Sequence, residues 1–122
     1  MRIVVVEDDP DVRQLLVTLL EIEGEQVEAV RDGAAGLAAI EAHLPDAVIC
    51  DVMMPAMTGW DLVRRLRADE RYTTLPVVLL SARVSADDVR NGYEAGASVV
   101  LPKPFDTTEL HEVLTALIAM RG

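Results

Sequence analysis

Aromatic residues are nearly absent from this chain: one Trp, two Tyr and one Phe make up 3% of its 122 residues. Hydrophobic residues still make up 51%, so the core is predicted to be aliphatic, which favours an α/β protein with buried parallel strands. The length suits one domain, and we expect one over residues 1–122. The single cysteine, Cys50, excludes an intramolecular disulfide and lies in an apolar run, as a packing residue does.

Basic residues are also few, since 11 Lys and Arg stand against 21 Asp and Glu and give a net charge of −10. Lys and Arg drive binding to phosphate backbones, so this balance argues against direct contact with nucleic acid or an anionic membrane. The sequence has neither a signal-peptide pattern nor a run of about 20 apolar residues. From this we expect a cytoplasmic protein.

Short apolar runs alternate five times with segments of helical periodicity, which predicts a parallel sheet covered by helices on both faces. The five predicted strands are RIVVVE, QVEAV, DAVICD, LPVVLLS and SVVLP. QVEAV alternates and is predicted near an edge, whereas DAVICD is apolar almost throughout and is predicted to be central. One face of the first helix carries Val12, Leu15, Leu16, Leu19 and Leu20. The helix near residues 85–95 has the weakest apolar stripe, so it is predicted to be the least firmly packed.

Polar side chains follow four of these strands, at the edge of the sheet where ligands bind in such folds. In chain order they are Glu7, Asp8, Asp9, Asp51, Ser81 and Lys103. Converging carboxylates repel one another unless a cation lies between them, and Mg²⁺ takes oxygen ligands of this kind. A lysine and a hydroxyl beside that ion suit a phosphoryl group, and a carboxylate can act as its acceptor. This pattern predicts that Asp51 accepts a phosphoryl group.

Each of these residues also has a purely structural interpretation. Ser81 is of a type preferred at helix N-caps, and the acids after the first strand can favour a helix dipole. Asp51 can end a strand, and Lys103 can be a solvated loop residue. His43 and His111 lie in acidic helical stretches and are interpreted as surface residues. The joint occurrence of the polar residues at strand ends favours a site.

Four motifs, in this order, make the chain resemble a response-regulator receiver domain, the phosphoacceptor module of bacterial two-component signalling. They are VVEDDP, DVMMPAMTGWDL, LLSA and LPKPF. The resemblance covers the whole chain and implies a doubly wound, flavodoxin-like sheet of five parallel strands in the order 2-1-3-4-5, with five helices. It implies a regulator rather than an enzyme, catalysing only its own phosphorylation and dephosphorylation. A sensor histidine kinase or histidine phosphotransfer protein would supply the phosphoryl group, and an output domain or protein would receive the signal.

The resemblance also implies a metal site. Asp51 would be phosphorylated, and Glu7, Asp8, Asp51 and the main-chain carbonyl of Met53 would surround Mg²⁺ or Mn²⁺. Asp9 would lie outside the acidic pair, because it falls one position late.

Further roles implied by the resemblance concern the phosphoryl group. Ser81 and Lys103 would bind it, and the peptide bond between Lys103 and Pro104 would be cis. Met53 and Arg83 would tune its lifetime, and they suggest a phosphorylated state that is not unusually short-lived.

The chain departs from the family pattern in two places. Val100 stands where many receivers have an aromatic switch residue, and valine is stiff at χ1. The signal is therefore expected to travel through the loop after Ser81, through the fourth helix or through Tyr93. The last helix has no Lys or Arg before Arg121, which argues for a monomer or a weak phosphorylation-dependent dimer. A pseudo-receiver that binds partners without phosphorylation, and a metal-dependent phosphohydrolase, remain alternatives.

Overall fold

The computed structural model describes residues 1–82 and 85–121, which form a five-stranded sheet flanked by five α-helices. The strands are β1 (Arg2–Val6), β2 (Gln26–Val30), β3 (Ala47–Asp51), β4 (Val77–Ser81) and β5 (Val99–Pro102). The helices are α1 (Pro10–Ile22), α2 (Gly33–His43), α3 (Gly59–Arg67), α4 (Ala86–Ala95) and α5 (Thr107–Arg121). All pairs are parallel and the strand order is 2-1-3-4-5, so the predicted fold class is confirmed.

The core has two layers, one on each face of the sheet. Alternate residues of a strand point to opposite faces, so Ile3 of β1 packs in one layer and Val4 in the other. Leucines of α1 and α5 complete the first layer, and side chains of α2, α3 and α4 complete the second. β3 is buried along its whole length, and β2 lies at one edge with an alternating burial pattern. Both placements confirm the sequence prediction.

The structure corrects one helix face and supports another. Leu15 of α1, predicted on the apolar face, is 49% exposed, because Leu16 and Leu20 are the residues that α1 presents to the sheet. In α4 the buried residues are Gly92 and Ala95, so this helix buries little apolar surface. A short 3₁₀ turn at Glu70–Tyr72 was not expected from the sequence. None of the helices in the described part of the chain is long and apolar enough to cross a bilayer.

Candidate functional site

At the carboxyl ends of β1, β3 and β5, the side chain of one lysine lies between two carboxylates. β1 and β3 are neighbours in register, with Val6 opposite Cys50, so Glu7 and Asp51 emerge side by side. Lys103, directly after β5, places its Nζ 3.2 Å from Glu7 Oε1 and 3.3 Å from Glu7 Oε2. The same Nζ lies 3.2 Å from Asp51 Oδ1. One ammonium group therefore bridges the ends of β1 and β3.

Burial makes this charge arrangement costly. Glu7 is 1% exposed and Asp51 is 6% exposed. Burial, followed by the charge of Asp51, raises the pKa of Glu7 from 4.5 to about 7, although Lys103 acts in the opposite direction. Burial lowers the pKa of Lys103, but Asp51 and Glu7 more than offset this and raise it above its usual value. A single lysine thus leaves negative charge at the site that is only partly compensated.

The acidic residues suit a divalent cation. Glu7, Asp8 and Asp51 each offer a carboxylate oxygen, and these oxygens lie within 4.8 Å of one another. Glu7 and Asp51 are buried while Asp8 is exposed, so the group opens to solvent on one side. Hard oxygen ligands and unneutralised negative charge are what Mg²⁺ requires in a protein. The donor set and the raised pKa of Glu7 therefore both fit a metal ion at this position.

Asp9 has a different role from the acids before it. Its carboxylate accepts hydrogen bonds from the backbone N–H groups of Asp11 at 2.9 Å and Val12 at 3.3 Å. Asp9 is therefore the N-cap of α1. This agrees with its predicted place outside the acidic pair.

The remaining predicted residues are distributed around the strand ends. Ser81 is the buried last residue of β4, and the N-cap of α4 is Ser85, so the interpretation of Ser81 as a cap of α4 is wrong. Met53 is 50% exposed in the connection between β3 and α3. The peptide bond between Lys103 and Pro104 is cis. Arg83 lies outside the described residues, so its tuning role stays a prediction.

Two residues that support the site did not stand out in the sequence. Arg13 of α1 donates from Nη1 to the main-chain oxygen of Glu7 at 2.9 Å, which ties α1 to the end of β1. Gly59 begins α3 directly against the end of β3: its N–H donates to the oxygen of Val52 at 2.9 Å. Helical periodicity marks neither residue, because both act through hydrogen bonds to the main chain after a strand rather than through an apolar helix face.

Replacing Gly59 by alanine should destabilise the protein and disturb the segment that carries Asp51. A Cβ at position 59 would lie 2.5 Å from the Asp51 oxygen and 2.9 Å from the Val52 Cα, and both are main-chain atoms that cannot rotate away. We expect a loss of roughly 2 kcal/mol or more in the free energy of unfolding, measured by urea denaturation. Ala38→Gly, on the exposed face of α2, is the control. It should lower the free energy of unfolding by about 1 kcal/mol through helix propensity alone. Equal stability of Gly59→Ala and wild type would contradict this close approach.

Comparison with known proteins finds one family that matches most of the chain. The family model for the response regulator receiver domain matches residues 3–115. The chain is 36% identical over 118 residues to the response regulator Rre1 of Synechocystis, covering 96% of this chain and 51% of that protein. It is 43% identical over 117 residues to the transcriptional regulatory protein CseB of Streptomyces avermitilis, covering 96% and 48%. The chain thus spans about half the length of these curated relatives.

Solved structures show the same fold. The chemotaxis response regulator CheY4 of Vibrio cholerae has a TM-score of 0.88 and 31% identity, covering 95% of this chain and 97% of that chain. The receiver domain of the sensor histidine kinase PA1611 from Pseudomonas aeruginosa has a TM-score of 0.89 and 30% identity, with 97% of each chain covered. The latter structure holds a magnesium ion coordinated in its active-site cleft.

Proposed function

Because this chain belongs to the response regulator receiver family, we propose that Asp51 is its phosphoacceptor and that Glu7 and Asp8 complete its metal site. The observation that carries the proposal is the arrangement at the strand ends. The carboxylate oxygens of Glu7, Asp8 and Asp51 lie within 4.8 Å of one another, and Lys103 bridges Glu7 and Asp51. Receiver domains bind Mg²⁺ and interact with histidine kinases, and this site suits both.

Asp51 supplies the nucleophile in the proposed reaction. A carboxylate oxygen of Asp51 attacks the phosphorus atom of a phosphohistidine on the partner. A P–O bond forms, the P–N bond breaks, and its electron pair returns to the imidazole nitrogen. The position of Asp51 supports this attack, since it is the last residue of the buried central strand β3, at the carboxyl end of the sheet.

Lys103 would receive the charge that the phosphoryl group brings. Its Nζ already lies 3.2 Å from Asp51 Oδ1, within direct reach of an oxygen on a group bonded to that carboxylate. Ser81, buried at the end of the neighbouring strand β4, would donate its hydroxyl to another phosphoryl oxygen. Both groups stabilise the developing charge without carrying out chemistry themselves.

Glu7, Asp8 and Asp51 would hold Mg²⁺ or Mn²⁺, with the main-chain carbonyl of Met53 as a further ligand. When bound, such an ion would supply positive charge that offsets the repulsion between the carboxylates and the phosphoryl oxygens. The chain itself would keep the three side chains together. The hydrogen bond from Arg13 to the main-chain oxygen of Glu7 helps to fix the segment that carries Glu7 and Asp8.

The wider role of the protein follows from this module. We infer that a sensor histidine kinase or a histidine phosphotransfer protein supplies the phosphoryl group in the cytoplasm. The modified surface would bind an output domain or protein, as the greater length of the relatives suggests. Residues 1–122 would form one receiver domain, present as a monomer or a weak phosphorylation-dependent dimer. Apart from its own phosphorylation and dephosphorylation, we propose no enzymatic activity.

Incubation with acetyl phosphate followed by intact-mass measurement tests this function. With Mg²⁺ or Mn²⁺ we expect the mass of one phosphoryl group per chain, because the metal offsets repulsion between the acidic site and the donor. With EDTA in place of metal we expect no gain. A wild-type protein that gains no mass under any condition, or gains it equally with EDTA, would refute the proposed metal-dependent phosphoacceptor.

A further inference from the structure

One hydrogen bond joins α4 to the outer edge of the sheet. The backbone N–H of Val100 in β5 donates to the hydroxyl of Tyr93 in α4, at 3.3 Å. β5 is the terminal strand of the sheet, and edge strands carry backbone groups that have no strand partner. N–H groups two residues apart in a strand face the same edge. Pro102, two residues after Val100, has no N–H, so Val100 is the donor that this edge presents and Tyr93 covers it.

Each residue of this bond is connected along the chain to a different residue of the proposed phosphorylation site. Val100 lies three residues before Lys103 on β5. Tyr93 lies on α4, whose N-cap, Ser85, follows Ser81 by four residues. Ser81 and Lys103 are themselves joined, because the N–H of Lys103 donates to the Ser81 oxygen at 2.8 Å. Any displacement of Ser81 toward a phosphoryl group therefore acts on α4 and on β5 through different connections.

Apolar contacts contribute little to holding α4 at this end, where the Arg67 guanidinium also donates to the main-chain oxygen of the helix C-cap, Gly96, at 2.8 Å. The buried residues of α4 are Gly92 and Ala95, which contribute little apolar area. Gly92 lies so close to β5 that a Cβ there would be 2.6 Å from Val100 Cγ2. The backbone of α4 at Gly92 thus packs closely against the side chain of Val100. The aromatic residue at this contact is Tyr93, which is 47% exposed.

We propose that the Tyr93 hydroxyl is a latch that holds α4 on the edge of β5 in the unphosphorylated protein and opens when Asp51 is phosphorylated. The inference rests on the proposed function of Asp51 and describes how that site is read out. The hydroxyl of an α4 tyrosine thereby takes the place of an aromatic side chain at position 100. Opening the latch frees the Val100 N–H beside the Tyr93 ring, which is already half-exposed, on the α4–β5 surface.

A latch of this kind predicts a reciprocal effect on the phosphorylation site. If phosphorylation opens the bond, removing the bond must favour the phosphorylated form by the same free energy. Tyr93→Phe keeps the ring and deletes the hydroxyl, and one hydrogen bond corresponds to between about twofold and tenfold in an equilibrium. We therefore expect Tyr93→Phe to bind beryllofluoride with Mg²⁺, a mimic of the aspartyl phosphate, about twofold to tenfold more tightly than wild type.

Tyr72→Phe is the matched control. The Tyr72 hydroxyl is buried and makes no hydrogen bond within the described part of the chain, so its loss should leave beryllofluoride affinity unchanged. Amide hydrogen exchange gives a second readout: exchange at Val100 should be faster in Tyr93→Phe and in beryllofluoride-bound wild type than in free wild type. A merely structural Tyr93 would lower stability without tightening beryllofluoride binding.

The outcomes separate the latch from the proposed function. If wild type takes up a phosphoryl group from acetyl phosphate but Tyr93→Phe binds beryllofluoride equally or more weakly, the latch is refuted and the phosphoacceptor stands. The same holds if exchange at Val100 does not change on beryllofluoride binding. If wild type takes up no phosphoryl group at all, the proposed function fails and the latch fails with it.

Discussion

Asp51→Asn should abolish phosphorylation of this protein by acetyl phosphate in the presence of Mg²⁺. A carboxamide lacks the anionic oxygen that attacks phosphorus, and it is a weaker ligand for a hard cation. The substitution also removes a charge that raises the pKa of Glu7 and one ion-pair partner of Lys103. Intact mass reports the loss of phosphorylation.

The neighbouring acid Asp9 provides the control for this experiment. Asp9 caps α1, and asparagine is an equally good N-cap, so Asp9→Asn should fold and become phosphorylated like wild type. Phosphorylation of Asp51→Asn at the wild-type level, or loss of phosphorylation in Asp9→Asn, would mean that a different carboxylate accepts the phosphoryl group.

Glu7→Gln should change how the stability of the metal-free protein depends on pH. The pKa of Glu7 is about 7 in the folded protein against an ordinary value of 4.5. Between these values the folded chain keeps a proton that the unfolded chain has lost, so stability falls as pH rises and the loss is complete above pH 7. A difference of about 2.5 pH units corresponds to at most about 3 kcal/mol. Glutamine does not ionise, so the variant should lack this loss.

The difference in unfolding free energy between wild type and Glu7→Gln isolates the contribution of Glu7 from that of all other titrating groups. Urea denaturation in EDTA at pH 5 and pH 8 should show Glu7→Gln gaining stability over wild type as pH rises, whereas Glu112→Gln, an exposed acid on α5, should not. Adding Mg²⁺ at pH 8 should stabilise wild type much more than Glu7→Gln, since the ion binds the ionised carboxylates of the folded state. Parallel pH profiles for wild type and Glu7→Gln would contradict the assigned electrostatics.

Parallel topology made the fold and the acidic part of the site predictable. Apolar runs at a regular spacing require a sheet whose carboxyl ends share one edge, so Glu7, Asp8 and Asp51 had to approach one another. The apolar composition of DAVICD placed β3 at the centre, and the alternation in QVEAV placed β2 at an edge. These conclusions depend only on the hydrophobic periodicity of the segments and on their order along the chain.

Contacts between side chains and distant backbone could not be predicted in this way. The sequence places Lys103 at a strand end, but its approach to Asp51 and Glu7 depends on the direction of its side chain, which passes the end of β4. The bond between the Tyr93 hydroxyl and the Val100 N–H requires α4 to lie close to β5. Gly92 permits this close approach because it has no Cβ. Leu15 shows the same limit for packing, because period alone does not set the rotation of α1 against the sheet.

The position of the phosphoryl group tests the central claim most directly. Wild type is phosphorylated with acetyl phosphate and Mg²⁺, reduced with borohydride, which converts an aspartyl phosphate to homoserine, and mapped by peptide mass spectrometry. We predict homoserine at position 51 and unmodified aspartate at positions 8 and 9. Homoserine at position 8 or 9, or phosphorylated protein that contains no homoserine, would contradict the assignment of Asp51 as the phosphoacceptor.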